Sequence, residues 1–292
     1  MRSLIRLALA APLVLGLLVT GSSWAGASSA WQLPSSTTIT EVAGNHFTFT
    51  HHRLKAGLIN FTLVNTLAAT GKGELQLFRM KGDTPVVQFR LHLAQIFSTN
   101  PKVAAAGIRW ARAHVLALGG NGFTTAMHQD SVLPAGTYYV ADTTAWLVSR
   151  GKTGLGTFSV TGHGTGSLPK VGQQITAADT GPMGMPRFHP TSPLHFGWVR
   201  IDNDSADLHM YFIVRVQAHT TNKQLIAALL QGVNNGQITG PPVGSDVISP
   251  GTDSNITIAG QPGRYAITCL VPDPETGLPH ILMGMTSFVH IN

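Results

Sequence analysis

Two stretches of this chain follow one plan. GLINFTLVNTLAATGKGELQLFRMKGDTPVVQF, residues 57–89, and GWVRIDNDSADLHMYFIVRVQAHTTNKQLIAAL, residues 197–229, each read as an apolar strand ending near an asparagine, Asn65 or Asn203. A polar turn follows, then a second apolar strand ending near Arg79 or Arg215. After it comes a Thr-led amphipathic stretch, residues 84–94 or 221–230, whose spacing predicts a short helix. The parallel resumes downstream, where SVLPAGTYYVAD (131–142) matches IAGQPGRYAITC (258–269), with a proline, a glycine turn and a strand bearing tyrosine in both. Each half closes on a Phe–Val strand, LGTFSVTG at 155–162 and TSFVHIN at 286–292. A repeat at roughly 130 residues is a duplicated domain rather than a solenoid.

The strands are short and separated by turn residues, in a chain with 32 glycines and 17 prolines. That pattern predicts an all-β fold: two tandem Greek-key β-sandwiches, each with a short inserted helix. The expected organisation is a first sandwich over 37–162, a Gly/Ser/Pro-rich linker over 163–172 (HGTGSLPKVG), and a second sandwich over 173–292. The N-terminus has a basic start, an apolar run over residues 7–19, and small residues after it. This is the pattern of a secretory signal over 1–25, cleaved after Ala25 or a few residues later, followed by a leader over 26–36. A retained N-terminal anchor is the alternative, although the run is short for a span of ~20 residues. No later segment is apolar enough to span a bilayer, and on the signal the mature chain is expected in the cell envelope or outside the cell.

The formal charge is +6, but lysines and arginines are scattered singly, and two of them, Arg2 and Arg6, fall in the export segment. A nucleic-acid face clusters its positive charge, so no nucleic-acid partner is expected. GxSxG and the phosphate-binding loop are absent, and GHGTG at 162–166 falls in the linker.

The single cysteine, Cys269, carries the chemistry. A lone thiol in an exported protein has no partner for a disulfide. It closes the strand RYAIT. His280 follows after ten intervening residues and Met285 after four more, in CLVPDPETGLPHILMGM, whose prolines and Gly277 stiffen the connection. His209 heads the strand HMYFIVRV and stands far upstream. Two imidazoles, one thiolate and a weak thioether are the donor set of a type 1 copper site, tolerable to both oxidation states of copper. Met283 is a competing thioether. Taken singly, Cys269 reads as a small buried hydrophobe and the methionines as core filler.

Here the chain resembles the cupredoxins, the blue copper proteins of the plastocyanin and azurin kind. The resemblance rests on Asn203-x5-His209 and Cys269-x10-His280-x4-Met285 and covers most of 172–292, with 37–162 as a degenerate copy. It implies one type 1 copper on His209, Cys269, His280 and Met285, an electron-transfer role rather than an enzyme's, and a redox or copper-exchange protein as partner. An envelope copper chaperone or store, and a metal-free structural sandwich, are the alternatives. The first copy lacks the set: Asp142 stands in the place of Cys269, and Gly73 or Glu74 in that of His209. Thr268 and Leu270 flank the cysteine and no His-x-His occurs, so a trinuclear oxidase centre is not expected. His51 and His52 are expected at the surface, while His189 and His195 are a weaker candidate for a surface metal site.

Overall fold

The computed structural model describes residues 35–67, 73–122, 124–230 and 236–292. The expected signal, and most of the leader, lie outside these. Along the first half run β1 (Ser35–Val42), β2 (His46–Phe49), β3 (Arg53–Lys55), β4 (Gly57–Asn65) and β5 (Leu75–Met80). Helices α1 (Val86–Ile96) and α2 (Pro101–His114) follow, then β6 (Val115–Asn121), β7 (Ala126–Leu133), β8 (Gly136–Ala141), α3 (Thr143–Val148) and β9 (Leu155–Thr161). The second half has β10 (Gln174–Ala178), β11 (Arg187–Pro190), β12 (Gly197–Asn203), β13 (His209–Arg215), α4 (Asn222–Leu230), β14 (Val243–Ile248), β15 (Asp253–Ile258), β16 (Gly263–Thr268) and β17 (Thr286–Ile291).

These strands form two sheets around one apolar core, an all-β sandwich architecture. β4 shows why: its burial alternates strictly, with Ile59, Phe61 and Leu63 inward and their neighbours half-exposed, the period-two signature of a half-buried strand. The sheet orders are β11-β10-β12-β15-β7-β4-β1-β2 and β17-β16-β13-β14-β6-β5-β8-β9-β3. Apart from β3, each order is symmetric about its centre, with the strands of one half mirrored by their counterparts in the other. The halves are therefore joined edge to edge, β7 to β15 and β6 to β14, and both sheets continue through the seam. In each sheet, two edges that would otherwise be open templates are closed on each other.

Side chains reinforce the seam. The Gln76 amide behaves like an extra backbone unit: its Oε1 accepts from Val247 N at 2.9 Å and its Nε2 donates to Val247 O at 3.0 Å. Ala117 N donates to Ser249 Oγ at 2.9 Å. The tyrosine repeated in the sequence has one task in both halves. Tyr138 donates to Pro134 O at 2.7 Å and Tyr265 to Gln261 O at 2.8 Å, each tying the strand to the turn before it.

The helices expected at 84–94 and 221–230 form as α1 and α4. The first half holds two more, α2 and α3. α2 has local start signals, an Asn100 side chain accepting from Lys102 N and Pro101 in the first turn. Its buried face is mostly alanine and glycine, with Ile108 the one large apolar residue, so the helical period is faint in sequence. Among the described residues no helix is long and apolar enough to cross a membrane.

Candidate metal centre

The four residues singled out in the second half come from four places in the fold. His209 opens β13, Cys269 directly follows β16, His280 opens a 3-10 turn (His280–Met283), and Met285 directly precedes β17. All four are fully buried. One donor atom each from His209, Cys269 and His280 lie within 4.8 Å of one another. Cys269 Sγ is 3.4 Å from His280 Nδ1, and the two imidazole rings stand 4.7 Å apart at 53°. Met285 is tied to the cluster through its backbone: its N–H donates to His280 O at 3.0 Å, and its carbonyl accepts from Thr268 Oγ1 at 3.0 Å. Met283 is only half-buried, and its carbonyl holds Arg187. His51, His52, His189 and His195 are exposed, and none falls in a metal-sized group of the described residues.

The tautomer of His209 follows from its neighbours. Ser205 Oγ donates its proton to Asn203 Oδ1 at 2.7 Å, so it must accept from His209 Nε2–H at 2.6 Å. The lone pair is left on Nδ1, which is buried and has no hydrogen-bond partner. An orphaned acceptor in a dry site is costly unless something fills it. Sequence reasoning missed this role for the serine and asparagine, although Asn203-x-Ser205 directly ahead of His209 is the available signal.

The sulfur is also prepared. Met210 N–H points at Cys269 Sγ from 3.4 Å, and the Val271 N–H also bonds it. Burial nonetheless pushes the thiol up to about 12. Burial holds His209 well below the usual imidazole range and His280 down at about 4, the latter despite Asp273 Oδ2 at 4.0 Å from its Nε2. Without a cation the site is thus a thiol between two neutral imidazoles, with the S–H able to rest on His280 Nδ1. A soft cation fits this set: two neutral nitrogens aimed at a sulfur that a metal would deprotonate, with a thioether sulfur on the adjoining backbone.

The long loop between Cys269 and His280 is pinned. His280 N–H donates to Val271 O at 3.0 Å and Ile281 N–H to Cys269 O at 2.9 Å. At the tip, Asp273 Oδ1 accepts from Glu275 N, Thr276 N and Thr276 Oγ1 at 2.6–3.1 Å. The first half braces it from outside. Arg109 on α2 donates to Pro274 O, and Arg112 pairs with Asp207 at 2.6 Å, two residues before His209. Gly277, at φ +71°, passes so near α2 that a Cβ there would stand 1.8 Å from Pro101 O.

In the first half, strand register puts Asp142 where Cys269 stands and Gly73 where His209 stands. Asp142 Oδ1 caps α3 by accepting from Ala145 N at 2.8 Å, so a helix follows it in place of the loop. Behind it Glu41, fully buried, accepts from Glu74 N at 2.9 Å. Burial, then the Asp142 carboxyl, raises Glu41 from 4.5 to about 8. Between those values the folded chain holds a proton that the unfolded chain has lost. Stability should therefore fall as pH rises from about 4.5 to about 8 and level off above. Glu41→Gln is expected to flatten that slope, with little change in Tm at pH 5 and a gain of about 2–4 kcal/mol at pH 9. Thermal melts of both proteins across this range check it; parallel curves count against a shared proton at Glu41.

Sandwich and cluster together define an all-β protein with a buried His/Cys/His group of metal-binding size. No family model and no curated protein matches the chain. Among solved structures it is similar to the dithionite-reduced auracyanin of the photosynthetic bacterium Roseiflexus castenholzii, at 16% identity and TM-score 0.27, over 41% of this chain and 94% of that one. It is similar to the copper nitrite reductase of Nitrosomonas europaea at 14% identity and TM-score 0.22, over 88% and 93%. A multi-copper oxidase of Pseudomonas thermotolerans matches at 10% identity and TM-score 0.23, over 90% and 69%. Two of these names are those of enzymes, which the sequence-based expectation of a non-enzyme did not include. At such scores the likeness says nothing of activity, and the functional reading rests on the side chains alone.

Proposed function

We propose that this chain is a copper-binding electron-transfer protein. In this reading residues 173–292 hold one type 1 copper on His209, Cys269, His280 and Met285, and residues 37–162 brace the ligand loop. The observation that carries it is the buried trio of His209, Cys269 and His280 within 4.8 Å, with His209 Nδ1 left unpartnered. Copper would supply the one-electron couple. The chain's own contribution is to fix the donors beforehand, through Ser205 on His209, two N–H groups on the sulfur and backbone bonds on His280. A site that changes shape little between oxidation states exchanges electrons with a low barrier. Exposed Leu278 and Leu282 flank His280 in sequence and offer an apolar approach for a redox partner. Complete burial of the donors argues against a store that releases copper readily.

The test is titration of the protein with Cu(II), following metal content and visible absorption together. One copper per chain with an intense thiolate-to-copper band supports the reading; stoichiometric copper without that band, or no uptake, sinks it. Rapid loss of Cu(I) to a chelator, with no reversible potential, would instead favour the store. Ser205→Ala is a finer probe. It frees the His209 tautomer while keeping all four donors, so copper affinity should fall about 10- to 100-fold with the visible band retained. Chelator competition measures this, and unchanged affinity would show that Ser205 does not prepare the ligand.

A further inference from the structure

A cavity of about 600 Å³ lies between α1, α2 and the back of the ligand loop. Its walls are apolar, with Phe89, Leu93 and Ile108 from the helices facing Leu270 and Pro279 from the loop. One end is different. Glu74, just before β5, and Asp246, in β14, both reach it, one carboxyl from each half of the molecule.

Asp246 is there because of a β-bulge. In the pairing of β13 with β14, Met210 faces Val247 and Tyr211 faces Ser245, so Asp246 is the extra residue between them. A bulge re-aims the side chain it carries. Asp246 is 1% exposed, and no N–H or hydroxyl donor reaches its Oδ2. Glu74 lies against it and is held on its other side by the Thr143 hydroxyl. Burial pushes both carboxyls up, and Asp246 pushes Glu74 further, so a negative charge on the pair is costly unless a cation meets it. No lysine, arginine or histidine lines the cavity to balance it. A buried anion without a cation or a full set of donors is costly, and a ligand that supplies the missing donor removes that cost. A mostly apolar cavity with a few convergent polar groups is the usual form of a small-molecule site.

We propose that this cavity binds a small molecule with an apolar, ring-sized body and an amine head, the head donating to Asp246 and Glu74. The site is separate from the copper donors, and the proposal stands or falls without copper. The probes are 1-naphthylmethylamine, 1-naphthalenemethanol and 1-naphthoate, which share a ring and differ in the head, titrated calorimetrically at pH 8. The amine should bind saturably at one site, about 10- to 100-fold tighter than the alcohol, and the carboxylate weakest. Asp246→Asn, nearly isosteric, should bring the amine down to the alcohol's affinity. Ala104→Phe, on the α2 wall, should exclude all three. No saturable binding by the wild-type protein, or an alcohol or carboxylate that binds as tightly as the amine, overturns the proposal without reference to any variant. Amine binding unchanged in a folded Asp246→Asn or Ala104→Phe protein overturns it as well.

Discussion

Cys269→Ser is expected to abolish the intense visible absorption of the copper-loaded protein. The band requires a thiolate on Cu(II), and Cys269 is the only cysteine in the chain. The serine oxygen is harder, shorter in reach and not deprotonated at neutral pH, so the site keeps two imidazoles and loses the donor that suits Cu(I). The metal-free variant should still fold. Sγ sits beside His280 Nδ1 and Met210 N–H, so a hydroxyl there has a nitrogen to donate to and an N–H to accept from. The cost of exchanging a buried thiol for a hydroxyl is then about 1–2 kcal/mol. The contrast is sharpest in thermal stability with copper present. A ligand held only by the native state stabilises it by mass action, about 4 kcal/mol at a thousandfold excess over Kd. Copper should raise the Tm of the wild-type protein strongly and that of Cys269→Ser very little. A variant that keeps the band, or gains as much Tm from copper as the wild type, shows that the thiol is not the ligand.

What the residues disclose on their own is whatever is local. Cys269, His280 and Met285 lie on one loop, so their spacing can be read directly, and His209 is marked by its place at the head of a repeated strand. That the two halves share a strand order follows from the repeat, because two copies of one plan fold alike. What stays hidden depends on residues distant in sequence. Nothing in Gln76 announces that its amide completes the sheet against Val247, 171 residues away. Nor can the loop's rigidity be foreseen, since Arg109 and Pro101 come from a helix in the other half. Asp142 is visible as the replacement for Cys269, but its use as a helix cap needs α3, a helix too short to show a period. The cavity carboxyls are the least legible, because Asp246 sits in a strand pattern that a bulge interrupts without leaving a mark in the alternation.

That bulge is also the setting for a large stability effect expected of a single methyl group. Gly244→Ala should destabilise the protein by about 4 kcal/mol, or roughly 10 °C in Tm. Gly244 has φ +109°, a conformation that side chains resist, and a Cβ there would stand 2.0 Å from the Tyr211 carbonyl. The contact is with backbone in a central strand, between β14 and β13, so no flexible side chain can swing aside to relieve it. Either the bulge opens or β13 shifts. Tyr211 is two residues from His209, and Asp246 is two residues from Gly244, so strain at this point disturbs the metal donors and the cavity carboxyl together. Gly172→Ala, where a Cβ meets nothing within 4 Å and no unusual φ is required, should by contrast change stability by less than about 0.5 kcal/mol. The two variants melt side by side in the absence of metal, and copper titration then reads the site. A Gly244→Ala protein with wild-type Tm and wild-type copper affinity would mean that the bulge positions neither.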